Sequence, residues 1–129
     1  MPPSPSRPKS KARIKAYLGG HRGESLAALL LRLKLYRIVA RRYKTPVGEI
    51  DLIASRAGII VFVEVKTRGR AESEAEALEA VNQARITRAA RHFLSRNPGA
   101  SGADCRFDVI FLAPGRWPRH VINAFDAAP

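Results

Sequence analysis

The sequence is short of several things, and each shortage removes a class of protein. It has one cysteine, Cys105, in 129 residues. A single thiol excludes an intramolecular disulfide framework and any cysteine-based zinc cluster. The three histidines, His21, His92 and His120, stand far apart and in no metal-ligand spacing. No apolar run reaches the length of a membrane span. The leucine-rich stretch from Leu26 to Leu35 is broken by Arg32 and Lys34. The opening Met1-Pro2-Pro3-Ser4-Pro5-Ser6-Arg7 has no apolar signal-peptide core, so a cytoplasmic location without membrane attachment is expected. Acids are scarce as well: 11 Asp and Glu face 23 Lys and Arg, a formal net charge of +12.

That charge is concentrated. Residues 1–44 hold 12 Lys and Arg and one acid, Glu24, whereas residues 45–129 are close to balanced. A basic block of this kind suits a polyanion, because neutralised phosphates release their counterions. It would equally serve as a solvated arm. At 46% hydrophobic the chain has enough apolar residues for one core. Residues 1–18, proline-rich and then basic, read as a disordered arm, with at most a helical turn from Lys11 to Leu18. Residues 19–129 read as a single domain.

Leu26, Leu29, Leu30 and Leu33 fall at helical spacing, widened by Ala27, Ala28 and Leu31, which predicts a helix over 23–35. Strands are expected at Tyr36–Ala40, Val47–Ala54 and Ile59–Thr67, with Arg56-Ala57-Gly58 as a tight hairpin connection. A long helix is expected from Glu72 to Arg96, acidic at its start and basic at its end, as the helix dipole favours. Arg106–Leu112 and His120–Ala124 complete the strands. Near-continuous apolar strands imply helices on both faces of the sheet.

Two of these strands carry charges that need a reason. Gly48-Glu49-Ile50-Asp51-Leu52-Ile53 sets two carboxylates on an otherwise apolar strand. Val61-Phe62-Val63-Glu64-Val65-Lys66 sets a carboxylate and an ammonium two apart on the next. Alternation puts Glu49 with Asp51, and Glu64 with Lys66, each pair on one face. A tight hairpin would bring Asp51 near Glu64. Two carboxylates, waters and a phosphate oxygen suit Mg²⁺, with Mn²⁺ a substitute. Such a metal would activate water, and Lys66 would hold that water or neutralise charge on phosphorus. A cross-strand salt bridge on a solvated face explains the same residues without chemistry. Beyond residue 44 ten of the 11 basic residues are Arg and only Lys66 is Lys, which suggests a place where the two are not interchangeable.

These residues resemble a known group. Asp51, then Glu64-Val65-Lys66, preceded by a helix bearing Glu24, is similar to the PD-(D/E)xK nuclease superfamily. More closely, Gly23-Glu24, Gly48 to Ala54, Val61 to Arg68, Arg106-Phe107-Asp108-Val109 and Ile122 to Phe125 resemble the YraN-like family of uncharacterised bacterial proteins. The resemblance implies an α/β, restriction-endonuclease-like fold: a central mixed sheet of about five strands flanked by helices. It is similar in that fold to archaeal Holliday junction resolvases, which are Mg²⁺-dependent dimers, so a homodimer acting on structured or branched DNA is implied. Asp51 and Glu64 would be the metal ligands, Lys66 the catalytic lysine and Glu24 a supporting acid. Glu49 belongs to the family motif and would be an accessory to the site. The chain departs from the family at Arg42-Tyr43-Lys44, and around Asn82 or Gln83, where the family often carries a lysine.

Further candidates for phosphate contact are Lys44, Thr67, Arg68, Arg70, and Arg85, Arg88 and Arg91 at i, i+3 spacing on one helix face. Tyr43 and Trp117 would stack on bases or else fill the core. Asp108 reads as a structural partner and Cys105 as packing. Two function classes follow: a metal-dependent nuclease acting on nucleic acid, most naturally DNA, or a non-catalytic binding module of the same fold in recombination or repair.

Overall fold

The computed structural model describes residues 21–67, 73–79 and 81–128. The basic arm, Arg68 and Arg70 lie outside the described residues. Helix α1 (His21–Leu33) is followed by strands β1 (Arg37–Thr45), β2 (Gly48–Arg56) and β3 (Ile59–Thr67). Helices α2 (Glu74–Glu79) and α3 (Gln83–Arg96) lead to β4 (Asp104–Leu112) and β5 (Arg119–Phe125). The sheet order follows the chain, β1-β2-β3-β4-β5. Only the β3–β4 pair is parallel, so the sheet is mixed, and the crossover between them carries α2 and α3. The expected α/β architecture is what the chain adopts.

Both faces are covered. On one, Ala27, Ala28 and Leu31 of α1 lie against Leu52, Ala54, Val61, Val63, Val65, Ile110 and Leu112. On the other, Ile86, Ala89, Ala90 and Phe93 of α3 lie against Ile50, Ile53, Phe62, Phe107 and Phe111. The helix α1 turns differently from the leucine pattern. Its buried stripe is Ala27, Ala28 and Leu31, while Leu26, Leu29 and Leu33 are exposed. Small alanines let the helix axis approach the sheet closely. Glu24 sits three and four positions before Ala27 and Ala28, so it shares the buried stripe. Leu35 ends the helix in the left-handed region at φ 70°, with Tyr36 N–H bonded to Leu31 O and Leu35 N–H to Arg32 O.

Two expected elements come out differently. The first strand runs to Thr45, because Arg41 to Lys44 form an edge strand whose charged side chains reach solvent. The long helix is two helices: Asn82 interrupts it, its side chain accepting the Arg85 N–H as the cap of α3. The hairpin expected at Ala57-Gly58 is present, with φ of 51° and 80°, both positive as a type I′ turn requires. Cys105 is exposed rather than packed.

Asp108 is fully buried and fully satisfied. Arg106 grips it with Nε and Nη2, both at 2.8 Å. His120 Nε2 lies 2.6 Å from the same carboxylate, and the Asn123 N–H donates at 2.9 Å. Arg106 continues to the Tyr36 hydroxyl and His120 Nδ1 faces Lys34 Nζ at 2.6 Å. Burial by itself would raise the Asp108 pKa, but the hydrogen bonds from His120, Arg106 and Asn123 outweigh it and hold it below the ordinary value. Its stabilising contribution is therefore present above the unfolded aspartate pKa and is lost as pH falls through the lower folded value. Asp108→Ala should cost about 3–5 kcal/mol in urea unfolding at neutral pH, because it strands the half-buried Arg106 and the buried His120 ring. A loss below about 1 kcal/mol, the range of an exposed pair, would show that the network is solvated.

Candidate active site

The β2–β3 ladder runs from the Arg56↔Ile59 pair to Leu52↔Val63 and stops there. Beyond it, the Val65 N–H donates to Asp51 Oδ2 at 2.8 Å. A side chain has taken the place of a strand carbonyl, and the two strands part. Alternation slips at the same point. Ile50 and Ile53 both lie in the α3-side core, while Leu52 and Ala54 lie on the α1 side. Asp51 is thus turned into the gap between strands, not onto a regular face as period-two spacing expects. On β3 the alternation holds: Val61, Val63 and Val65 face α1, which leaves Glu64 and Lys66 on the α3 face with Phe62.

The gap opens into a cavity of about 290 Å³ lined by Glu49, Asp51, Glu64, Lys66, Asn82 and Arg85, with Val81 and Ile86 as its apolar wall. An adjoining hollow of about 110 Å³ is lined by Glu24, Arg42, Lys44, Glu49, Ile50 and Asp51. Glu49 and Asp51 border both. Glu24 therefore faces the second hollow, 3.5 Å from Arg42 Nε, and does not line the cavity with Glu64 and Lys66. Helix α3 reaches the site because Gly48 lets it. A Cβ at Gly48 would fall 2.4 Å from the Arg85 carbonyl oxygen.

The electrostatics are frustrated. Glu64 is pushed up to about 9, first by burial, then by a hydrogen bond to Asp51 and by the negative charges of Asp51 and Glu49, with Lys66 pulling the other way. The acidic donors are all oxygen, Asp51 and Glu64 hydrogen-bonded to each other with Glu49 beside them, and the cavity has room for waters. That chemistry fits Mg²⁺ or Mn²⁺, which keep several waters and need few protein ligands. Among the described residues no three acid, histidine or cysteine side chains converge to hold a metal by themselves. A metal here would be held by Asp51 and Glu64, and the rest of its shell would be water or substrate.

The other candidates separate. Arg85 lines the cavity. Arg88 donates to the Val47 carbonyl at 3.4 Å and Arg91 to the Ala128 carbonyl at 3.1 Å, so both also brace the fold. Lys44 borders the second hollow. Thr67 is buried on the α1 side, away from the cavity. Tyr43 stacks edge-on against Phe93 and faces His92, which removes it from base stacking. Asn82 was not expected in the site. An Asn just before a periodic apolar run is a helix-start signal, and that signal could have placed it there.

Residues 23–112 match the family model of Uncharacterised protein family UPF0102. A UPF0102 protein of Parvibaculum lavamentivorans is 53% identical over 112 residues, covering 87% of this chain and 84% of that one. One from Rhodopseudomonas palustris is 47% identical over 126 residues, covering 98% and 96%. One from Methylobacterium nodulans is 45% identical over 122 residues, covering 95% of each. The chain belongs to this family, the one whose YraN-like motifs its sequence carries. No helix among the described residues is long and apolar enough to cross a membrane.

A raised Glu64 pKa means that the native state binds this proton more tightly than the unfolded chain does. Stability of the metal-free protein therefore falls as pH climbs from the unfolded glutamate value toward the folded one. Glu64→Gln removes that liability. In EDTA the variant should gain on the wild type as pH rises from roughly 5 to 8, by at most about 1.4 kcal/mol per pH unit. Parallel pH–stability curves for the two proteins would show that the carboxyl pair is not frustrated.

Proposed function

We propose that this UPF0102 chain binds nucleic acid and hydrolyses phosphodiester bonds with the help of a divalent metal, Mg²⁺ by preference, on structured or branched DNA. The observation that carries the reading is the convergence of Asp51, Glu64 and Lys66 on one cavity, opposite Arg85. Like-charged carboxylates brought together at a site with a raised pKa are what a cation-binding centre looks like before the cation arrives.

Each residue then has a role. Asp51 and Glu64 hold the metal, which when bound supplies charge stabilisation and a more acidic water. The Val65 N–H fixes the Asp51 carboxylate, so that ligand is positioned in advance. Lys66 shares the α3 face with Glu64 and supplies a compact positive charge where the phosphoryl oxygens gain negative charge. Arg85 reaches a phosphate from the opposite wall, with a fork that matches its oxygens. Glu24 and Glu49 shape the field of the adjoining hollow, and Lys44 gives the strand backbone a second contact there. A symmetric pair of copies would present two such cavities to a branched substrate.

The second reading, a binding module that does not cut, is favoured by one observation: among the described residues no third acid, histidine or cysteine is placed to hold a metal with Asp51 and Glu64, although Glu49 lines the same cavity. Calorimetric titration with Mg²⁺ and Mn²⁺, paired with cleavage of linear, flap and four-way DNA, separates the two. The nuclease reading expects metal binding that Asp51→Asn abolishes, and cleavage that Lys66→Met lowers about a hundredfold or more with metal binding retained. DNA binding with no metal uptake leaves the module. Unchanged cleavage in Asp51→Asn overturns the assignment of the site. Arg85→Ala should weaken DNA binding and reduce the salt slope of log K by about one.

A further inference from the structure

The turn between β4 and β5 lies at the same end of the sheet as the cavity. Lys66 pairs with Phe111, and Phe111 pairs with Arg119. Arg119 is therefore two strand spacings, roughly 10 Å, from Lys66 across the sheet. Trp117 is two residues away in the turn, at most roughly 7 Å further. It is 92% exposed, the largest exposure among the described large hydrophobic side chains.

The turn is built to hold that ring out. Arg116 N–H bonds to the Ala113 carbonyl at 3.2 Å, and Gly115 has φ 71°. Proline second and a positive-φ glycine third is the pattern of a type II turn. Pro118 follows the tryptophan and restricts its backbone in turn. A side chain presented by a stiff segment loses little freedom when it is covered. Arg116 on one side and Arg119 on the other make the surroundings cationic. An exposed indole among arginines, within a few nucleotides of a candidate phosphodiester site, has the chemistry of a base-stacking platform. Tyr43, by contrast, is committed to Phe93 and His92.

Resting on the nuclease-site reading, we propose that Trp117 stacks on an unpaired nucleobase of the strand whose phosphate lies at the cavity, and so selects nucleic acid with single-stranded or splayed segments over uniform duplex. Inside a blunt duplex every base face is stacked on a neighbour and only the outer faces of the two end pairs are free, so the indole gains little along a long duplex. In a strand or a fork the base faces are free.

Trp117 is the only tryptophan of the chain, so its fluorescence reports on this turn alone. The full chain is titrated, with EDTA present, against an oligothymidine strand, a splayed fork and a blunt duplex, each labelled for anisotropy. The expected result is quenching of Trp117 and its protection from acrylamide by the strand and the fork, and neither by the duplex. Trp117→Ala should weaken strand and fork binding about tenfold and leave duplex binding unchanged, while Trp117→Phe keeps most of the affinity. Binding seen by anisotropy with silent tryptophan, or equal affinity in Trp117→Ala, overturns the stacking role and leaves the nuclease-site reading standing. Equal quenching by the duplex overturns the selectivity. A Trp117→Ala effect on self-association in sedimentation, with oligonucleotide affinity unchanged, assigns the turn to a protein contact instead. No binding of any oligonucleotide overturns this proposal together with the reading it rests on.

Discussion

Val65 donates its backbone N–H to the Asp51 carboxylate at 2.8 Å, where a regular sheet would have offered a carbonyl of β2. The remaining features of the site follow from that substitution. The β2–β3 ladder ends at Leu52↔Val63, the alternation of β2 slips, and the strands separate. Separation makes room for Glu64 beside Asp51 and lets α3 close the far side of the cavity. Gly48 then becomes a steric requirement, because the Arg85 carbonyl occupies the volume a side chain would need. One hydrogen bond both satisfies a backbone donor and aims a carboxylate.

The chain treats its buried carboxylates in two opposite ways. Asp108 is met by Arg106, His120 and the Asn123 N–H, and its charge is held at low cost. The network ties Tyr36, at the head of β1, to β4 and β5. Glu64 has a second carboxylate as its hydrogen-bond neighbour and a third nearby, with one lysine against them. A stabilising arrangement looks like the first. The second costs stability, a cost that the proposed cation would offset. Burial is common to both acids; what differs is the sign of their neighbours.

Much of this was readable in advance. Glu64 and Lys66 share a face because β3 is regular, and regular strands obey period two. The Ala57-Gly58 turn was readable because its backbone geometry demands positive φ at both positions. The α1 orientation was not. A hydrophobic period marks two candidate stripes there, and close packing chose the smaller side chains, Ala27 and Ala28, over Leu26 and Leu29. The break at Asn82 was hidden by good helix formers on both sides, whose summed propensity masks a single cap. Where Glu24 and Asn82 end up depends on how α1 turns against the sheet and where α3 begins, which is why the site's edges were less legible than its centre.

By itself the sequence determined the element types, the mixed α/β architecture, the family, and the concentration of basic charge before residue 45. It also singled out Asp51, Glu64 and Lys66, since charges inside apolar strands stand out against their surroundings. Only the tertiary structure decided which acids meet. Glu49 and Asp51 border two cavities, Glu64 one, and Glu24 the other. It also decided the fate of the aromatics, Tyr43 packed and Trp117 in water. The physical reason is locality. Periodicity and turn chemistry act over a few residues, whereas convergence depends on where strands part and how helices turn against a sheet, and those are settled by contacts between segments distant in the chain.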